Sequence, residues 1–322
     1  MQQPNSRQGD VLNTPSLSFH GSGETYFGIL IVNMLLMIVT LGFYYPWAKA
    51  KELQFLYSST EMEGSRFSWN GTGAEIFKGF IKAVGIFAAL ITIVYIFNAM
   101  GLPFLSVLVY LVSLLLLIPY AIHGSTRYHW SRTAWRSIRF GYRGDRNEFI
   151  KLFIKEMLLT LVTFGIYGSW AAMNIRNYVM GHLRFGSGEF SYEGDGWEYF
   201  KMNIKGYFLT LFTLGIYVFW WQADIFRYSI DHMRLQHGNK SYNFQSKATG
   251  GGFAGLLIVN MLIFIFTLGF GFAWIQVRTI KFMLANVEID GDITLADLQQ
   301  TEEEYRNAMG EDLADMLDLG VI

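Results

Sequence analysis

Leu30-Ile31-Val32-Asn33-Met34-Leu35 is followed by Thr40-Leu41-Gly42-Phe43 and then Trp47, and the same text returns as Leu257-Ile258-Val259-Asn260-Met261-Leu262, Thr267-Leu268-Gly269-Phe270 and Trp274. Two further copies carry Thr163-Phe164-Gly165-Ile166-Tyr167 with Trp170, and Thr213-Leu214-Gly215-Ile216-Tyr217 with Trp220. In all four the Trp stands five residues after the Gly. Aligned Thr, Gly and Trp at a fixed spacing mark an internally repeated unit.

A second pattern precedes the apolar runs. Phe19-His20-Gly21-Ser22-Gly23-Glu24 leads to Phe27, Trp69-Asn70-Gly71-Thr72-Gly73 to Glu75 and Phe77, and Tyr192-Glu193-Gly194-Asp195-Gly196 to Glu198 and Phe200. Looser versions occur at 140–149 and 244–253. Alternating aromatics before Gly-x-Gly predict a short strand, a tight turn and a helix start, with an acidic residue where the helix dipole favours it. The unit therefore reads strand, Gly turn, apolar helix, break, amphipathic helix. Copies fall at about 19–68, 140–191, 192–243 and 244–290, and an apolar hairpin at 74–122 lacks the Thr-Leu-Gly signature. Residues 1–18 read as a disordered polar tail and 291–322 as an acidic one.

The composition calls for a membrane. Of 322 residues 52% are apolar and 16% charged, against about 25% charged in ordinary soluble domains. Leu102 to Ile122 contains no Asp, Glu, Lys, Arg or His and has the length of a spanning helix. The polar start lacks the basic and short apolar regions of a signal peptide, and 26–47 reads as an uncleaved anchor. Six apolar segments stand near 26–44, 76–98, 102–122, 150–170, 204–221 and 253–275. These features predict an all-α integral membrane protein of about six apolar helices with short β-strands in the loops. From Glu288 onward there are eleven acidic residues against Arg306 alone, which leaves the rest of the chain basic. That balance suits anionic headgroups beside the body and a protein partner at the tail. The basic residues flank apolar runs, which disfavours nucleic acid.

The repeated Thr-Leu-Gly-Phe/Ile-Tyr-x-x-Trp signature, with its Phe-x-Gly-x-Gly-Glu opening, resembles the YjgN family of bacterial inner-membrane proteins over nearly all of the chain outside the two tails. The resemblance implies location and architecture, and it carries no reaction, ligand or functional residue.

Basic residues predict orientation. The turn at 98–101 has none, whereas 123–147 holds Arg127, Arg132, Arg136, Arg139, Arg143 and Arg146, and 45–75 holds Lys49, Lys51 and Arg66. The short turn then faces outward and its flanking loops the cytoplasm. Two arrangements remain for the other segments. If each crosses once, equivalent strand motifs alternate between the two sides. If Thr-Leu-Gly marks a re-entrant break, the motifs share one side, where the strands can pair.

Asn33, Glu156 and Asn260 occupy one repeat position, seven residues before the Thr, and are candidates to line a ligand or ion path because polar groups in apolar spans are costly. The plainer reading is helix–helix hydrogen bonding, worth about 0.6 kcal/mol. His182 with Arg184 and His232 with Arg234 lie twelve residues beyond Trp170 and Trp220. They and the helically spaced Arg132, Arg136, Arg139 and Arg143 are candidates for lipid headgroups, against a plain interfacial polar face. No cysteine is present, His residues are scattered, and phosphate-loop, nucleophile-elbow and zinc motifs are missing. No catalytic residue, metal or cofactor is expected. The reading is a non-enzymatic multi-pass inner-membrane protein that moves or binds a small or lipidic ligand. The alternative is an envelope-organising protein that recruits partners through its loops and tail.

Overall fold

The computed structural model describes residues 16–238, 240–290 and 298. Strand, helix, helix and strand recur five times in order along them. The first set is β1 (Leu17–Phe19), α1 (Gly23–Val39), α2 (Tyr45–Ser59) and β2 (Thr60–Met62). The second is β3 (Ser65–Trp69), α3 (Gly73–Ala99), α4 (Pro103–Ser131) and β4 (Thr133–Trp135). The third is β5 (Ile138–Tyr142), α5 (Arg146–Val162), α6 (Gly168–Gly181) and β6 (Leu183–Phe185). The fourth is β7 (Gly188–Tyr192), α7 (Gly196–Phe212), α8 (Val218–Asp231) and β8 (Met233–His237). The fifth is β9 (Lys240–Ser246), α9 (Gly250–Phe266), α10 (Phe272–Ala285) and β10 (Val287–Asp290).

The strands form one antiparallel meander in chain order, β1 to β10. A bridge between Ser16 and Glu288 brings its two edges together into a nearly closed barrel. Register sets the two faces, since paired residues of adjacent strands point the same way. Phe140 opposite Phe185, Phe190 opposite Leu235 and Phe244 opposite Ile289 belong to the interior. Ala134 opposite Arg139, Arg184 opposite Glu189 and Arg234 opposite Asn243 face outward. The helices stand as five antiparallel hairpins on one end of this barrel. Each packs on its neighbours in chain order, and α10 closes on α1.

The all-α, six-span expectation is overturned by this architecture. Ten strands build a barrel, and among the described residues only α3 and α4 are long and apolar enough to cross a membrane. Four of the six apolar segments reach into a chain reversal. The run 26–44 ends in one, and 150–170, 204–221 and 253–275 run through one and into the next helix. Each reversal starts at the Thr, and the following Leu or Phe takes a left-handed φ of 51–52° before a Gly of φ 88–95°. The Thr hydroxyl donates to the carbonyl four residues back and accepts the backbone N–H four residues on, in all four copies. Because every strand lies in one sheet, the strand motifs of all five hairpins share one end of the molecule.

Helix starts follow from local chemistry. Ser22, Thr72, Asp145, Asp195 and Thr249 each cap an odd-numbered helix by accepting a first-turn N–H, an interaction typically worth about 1 kcal/mol. The repeated Trp has a fixed partner. A Cβ on Gly23, Gly73, Gly196 or Gly250 would collide with Trp274, Trp47, Trp170 or Trp220 respectively, each at the start of the preceding even-numbered helix. The Trp274–Gly23 contact joins the last hairpin to the first. Between α4 and α5 the corresponding pair is Tyr120 and Arg146, whose guanidinium lies 5.0 Å from the ring centre.

Gly196→Val should therefore lower the melting temperature of the detergent-solubilised protein, with an overpacking cost of about 1–3 kcal/mol. Gly28→Ala, at a mid-helix glycine with nothing within 4 Å, should instead be neutral or stabilise by about 0.5–1 kcal/mol. Equal melting temperatures for the two variants would refute the Trp–Gly account.

Candidate functional site

Alternation along ten strands sends one aromatic or aliphatic set into the barrel, and it does not fill the space. Met62, Trp135, Phe185 and Leu298 pack together with the mid-barrel residues. Met62, Trp135 and Phe185 lie at the strand ends far from the helices. Trp135 is fully buried and donates its indole N–H to the carbonyl oxygens of Ser65 and Met62, at 3.0 and 3.3 Å. Phe140 and Phe185 stack at 4.3 Å. Above them lies a cavity of about 330 Å³. Its walls are strand side chains such as Phe140, Phe190, Tyr242 and Phe244, and toward the helices it meets Leu56, Trp130, Met180 and Leu284 at the C-terminal ends of α2, α4, α6 and α10.

The cavity is almost entirely apolar, and the two threonine hydroxyls in its lining are tied into local bonds. Thr60 donates to the Leu56 carbonyl and Thr133 to the His129 carbonyl. At the helix end the Tyr57 hydroxyl lies 2.6 Å from His129 Nε2. Burial pushes the Tyr57 hydroxyl above its ordinary pKa, and a bond with Thr133 offsets part of that rise. Tyr57 is therefore protonated at neutral pH. An apolar pocket of this size with few polar groups, the Tyr57–His129 pair among them at its edge, suits a hydrocarbon chain bearing one polar end.

The candidates chosen from the sequence lie elsewhere. Asn33 donates to the Ala48 carbonyl at 3.2 Å, Asn174 donates to Glu156 at 3.1 Å, and Asn260 donates to Thr279 at 3.0 Å. Each bond joins the two helices of one hairpin, so the three residues are not brought together. Gly206, at the fourth such position, sits beneath Trp221. Glu156 is completely buried, with Lys155 Nζ 3.7 Å from its second carboxylate oxygen.

The arginines do not share a helix face, because 133–142 forms two strands. Arg132 ends α4 and pairs with Glu75 at 3.1 Å. Arg136 sits in the β4–β5 turn, with its guanidinium 4.3 Å from the Trp135 ring centre and bonded to Ser65 and the Glu63 carbonyl. Arg139 lies on the outer face of β5, and Arg143 follows that strand, its N–H donated to the His182 carbonyl. His182 and His232 cap α6 and α8 in matching ways, each ring over the Tyr four residues back. Arg184 pairs with Glu189 and Arg234 with Glu193. The acidic tail lies outside the described residues apart from Leu298, which is buried in the barrel near Gly188 and Leu235. The cavity residues escaped sequence reading because they come from all ten strands and from four helix ends; the alternating aromatics were the one signal of them.

A nearly closed barrel bearing helical hairpins, two of whose helices are long enough to cross a membrane, defines a membrane-attached barrel protein. The chain belongs to the family described as bacterial protein of unknown function, DUF898, which matches residues 14–197, 187–243 and 221–316. It is similar to the inner membrane protein YjgN of Escherichia coli O157:H7, 38% identical over 133 residues, 41% of this chain and 32% of that protein. The protein of the same name from Escherichia coli K12 is 37% identical over 140 residues, 43% and 34% of the two chains. That from Salmonella typhimurium LT2 is 27% identical over 169 residues, 48% and 40%. The matched region thus covers about a third of the length of the first of these relatives. No solved structure matches. The family resemblance and the inner-membrane location expected from the sequence both hold.

Asn260→Leu removes one inter-helix bond and should change stability by about 0.6 kcal/mol. Phe185→Ala, which opens the packed end of the barrel, should cost about 3–5 kcal/mol. Thermal unfolding of both variants in detergent checks the ranking, and a larger loss for Asn260→Leu would contradict it.

Proposed function

We propose that the protein is a non-enzymatic, membrane-anchored lipid-binding protein whose barrel receives one apolar chain from the adjoining leaflet. The observation that carries this reading is the cavity of about 330 Å³, walled by side chains such as Phe140, Phe190 and Phe244. It faces the C-terminal ends of the helices rather than the packed end of the barrel. The α3–α4 hairpin is long and apolar enough to cross the bilayer, and the Arg-rich stretch from Arg127 to Arg146 supports a barrel on the cytoplasmic side. The Tyr57–His129 pair stands where the polar end of a bound lipid would lie. A soluble carrier of such a ligand would have to expose it to water during exchange. A barrel held against the membrane exchanges it directly with the leaflet.

Mass spectrometry of lipids that co-purify with the protein in polymer-bounded native membrane discs tests the proposal. Leu284→Trp fills the helix end of the cavity and should remove most of the bound lipid while the protein keeps its fold. Leu284→Phe is the milder fill should the larger ring prevent folding. Undiminished lipid in a folded filled variant would defeat the cavity as the binding site.

A further inference from the structure

We infer that the four Thr-Leu-Gly hairpins, α1–α2, α5–α6, α7–α8 and α9–α10, end inside the hydrocarbon of the barrel-side leaflet, and that α3–α4 is the one hairpin that reaches the far side. This inference stands whether or not the cavity holds a lipid.

The first support is the chemistry of the turns. In each, six consecutive backbone N–H groups, 40–45, 163–168, 213–218 and 267–272, all find protein acceptors. The Thr hydroxyl supplies the acceptor that the helical pattern lacks at the fifth of these groups. A turn in water has no need of this, since water would take the donors. In hydrocarbon an unmatched donor costs several kcal/mol.

The second support is exposure without charge. Leu41, Phe164, Leu214 and Leu268 are 87–98% exposed at the four tips, and neighbours such as Val39, Val162, Phe212 and Phe266 are at least 74% exposed. Apolar groups this bare, on four tips at matching positions, form a surface that water would not tolerate. The occupant must be apolar and extended around the whole ring, which is the interior of a bilayer.

The third support is depth. In the second helix of each short hairpin the first charged residue comes early: Lys49 in α2, Arg176 in α6, Asp224 in α8 and Arg278 in α10 lie four, eight, six and six residues past the helix start. At 1.5 Å per residue these are about 6–12 Å, less than half of the roughly 30 Å hydrocarbon thickness. On the first helices of two of them, Lys155 and Lys205 lie eight residues before their Thr, about 12 Å, with Glu156 one residue closer. Helix α1 carries no charge after Glu24 and α9 none at all, so in those two hairpins the second helix alone sets the limit. In α4 the first charged residue, Arg127, stands 24 residues in, and in α3 Lys82 precedes Ala99 by 17 residues. Those stretches measure about 36 and 25 Å. In the long hairpin both helices are free of charge over a bilayer-scale length, whereas in each short one the second helix is free of charge over less than one leaflet.

The chain has no cysteine, so single cysteines report position without background. In cells and inverted vesicles, the Leu214→Cys and Leu268→Cys variants should resist a membrane-impermeant maleimide from both sides. Met100→Cys, at the α3–α4 turn, should label only from the side opposite to Lys240→Cys in the barrel. A bimane attached to the Leu214→Cys variant should be quenched by nitroxides on lipid acyl chains. Labelling of Leu214→Cys and Leu268→Cys from the Met100 side would show that these hairpins span and would overturn the inference, as would labelling from the barrel side. Phe164→Cys serves in place of either variant should one fail to fold.

Discussion

Every strand among the described residues is too short to stand alone. The longest has seven residues and several have three, and two-stranded ribbons of that size are marginal in water. What holds them is closure. Each strand pairs with the next, and the Ser16–Glu288 bridge joins the ends, so few backbone donors are left at an edge. The helices make closure achievable. Their ring shuts through Trp274 on Gly23 and through α10 on α1, which presents β1 and β10 to one another from opposite ends of the repeated region.

Closure also explains why the glycines matter. A bulky Trp at the start of one helix needs a residue without a side chain at the start of the next, or the hairpins could not approach closely enough for their strands to pair. The α4–α5 junction solves the same problem differently, with the long Arg146 side chain over Tyr120. That exchange of Trp–Gly for Tyr–Arg occurs at the end of the hairpin that also lacks the Thr-Leu-Gly turn and whose helices, of 27 and 29 residues, exceed all the others. One of five positions in a ring has therefore been released from the common pattern and lengthened.

Much of the local structure could be read from residues alone. Gly-x-Gly after alternating aromatics marks a helix start because Ser22, Thr72, Asp145, Asp195 and Thr249 are good caps. The Thr-Leu-Gly text marks a break. The sequence leaves open that the strand motifs share one side and pair, but not that they close into a barrel, because each strand's partners lie in other hairpins. Hydropathy overcounts the spans for a related reason. Hydropathy sums across 150–170 without sensing that Phe164 adopts φ 52° and reverses the chain, a conformation that β-carbon sterics disfavour for any residue but Gly. The Asn33, Glu156 and Asn260 set was visible as a pattern, yet depth in the sequence says nothing of direction, and each turns toward its own hairpin.

The cavity is the least expected outcome of such a fold. Unfilled space lined by apolar side chains is destabilising in a packed core, and about 330 Å³ of it is a large space for so small a barrel to leave empty. Water is a poor filler, since a bound molecule needs two to four polar partners and this lining offers almost none. Enlarging Thr60 or Thr133 would close part of the space with a single substitution. A barrel that keeps it open, facing helices whose tips are bare hydrocarbon, is most economically explained by an apolar occupant drawn from the same medium that solvates the tips.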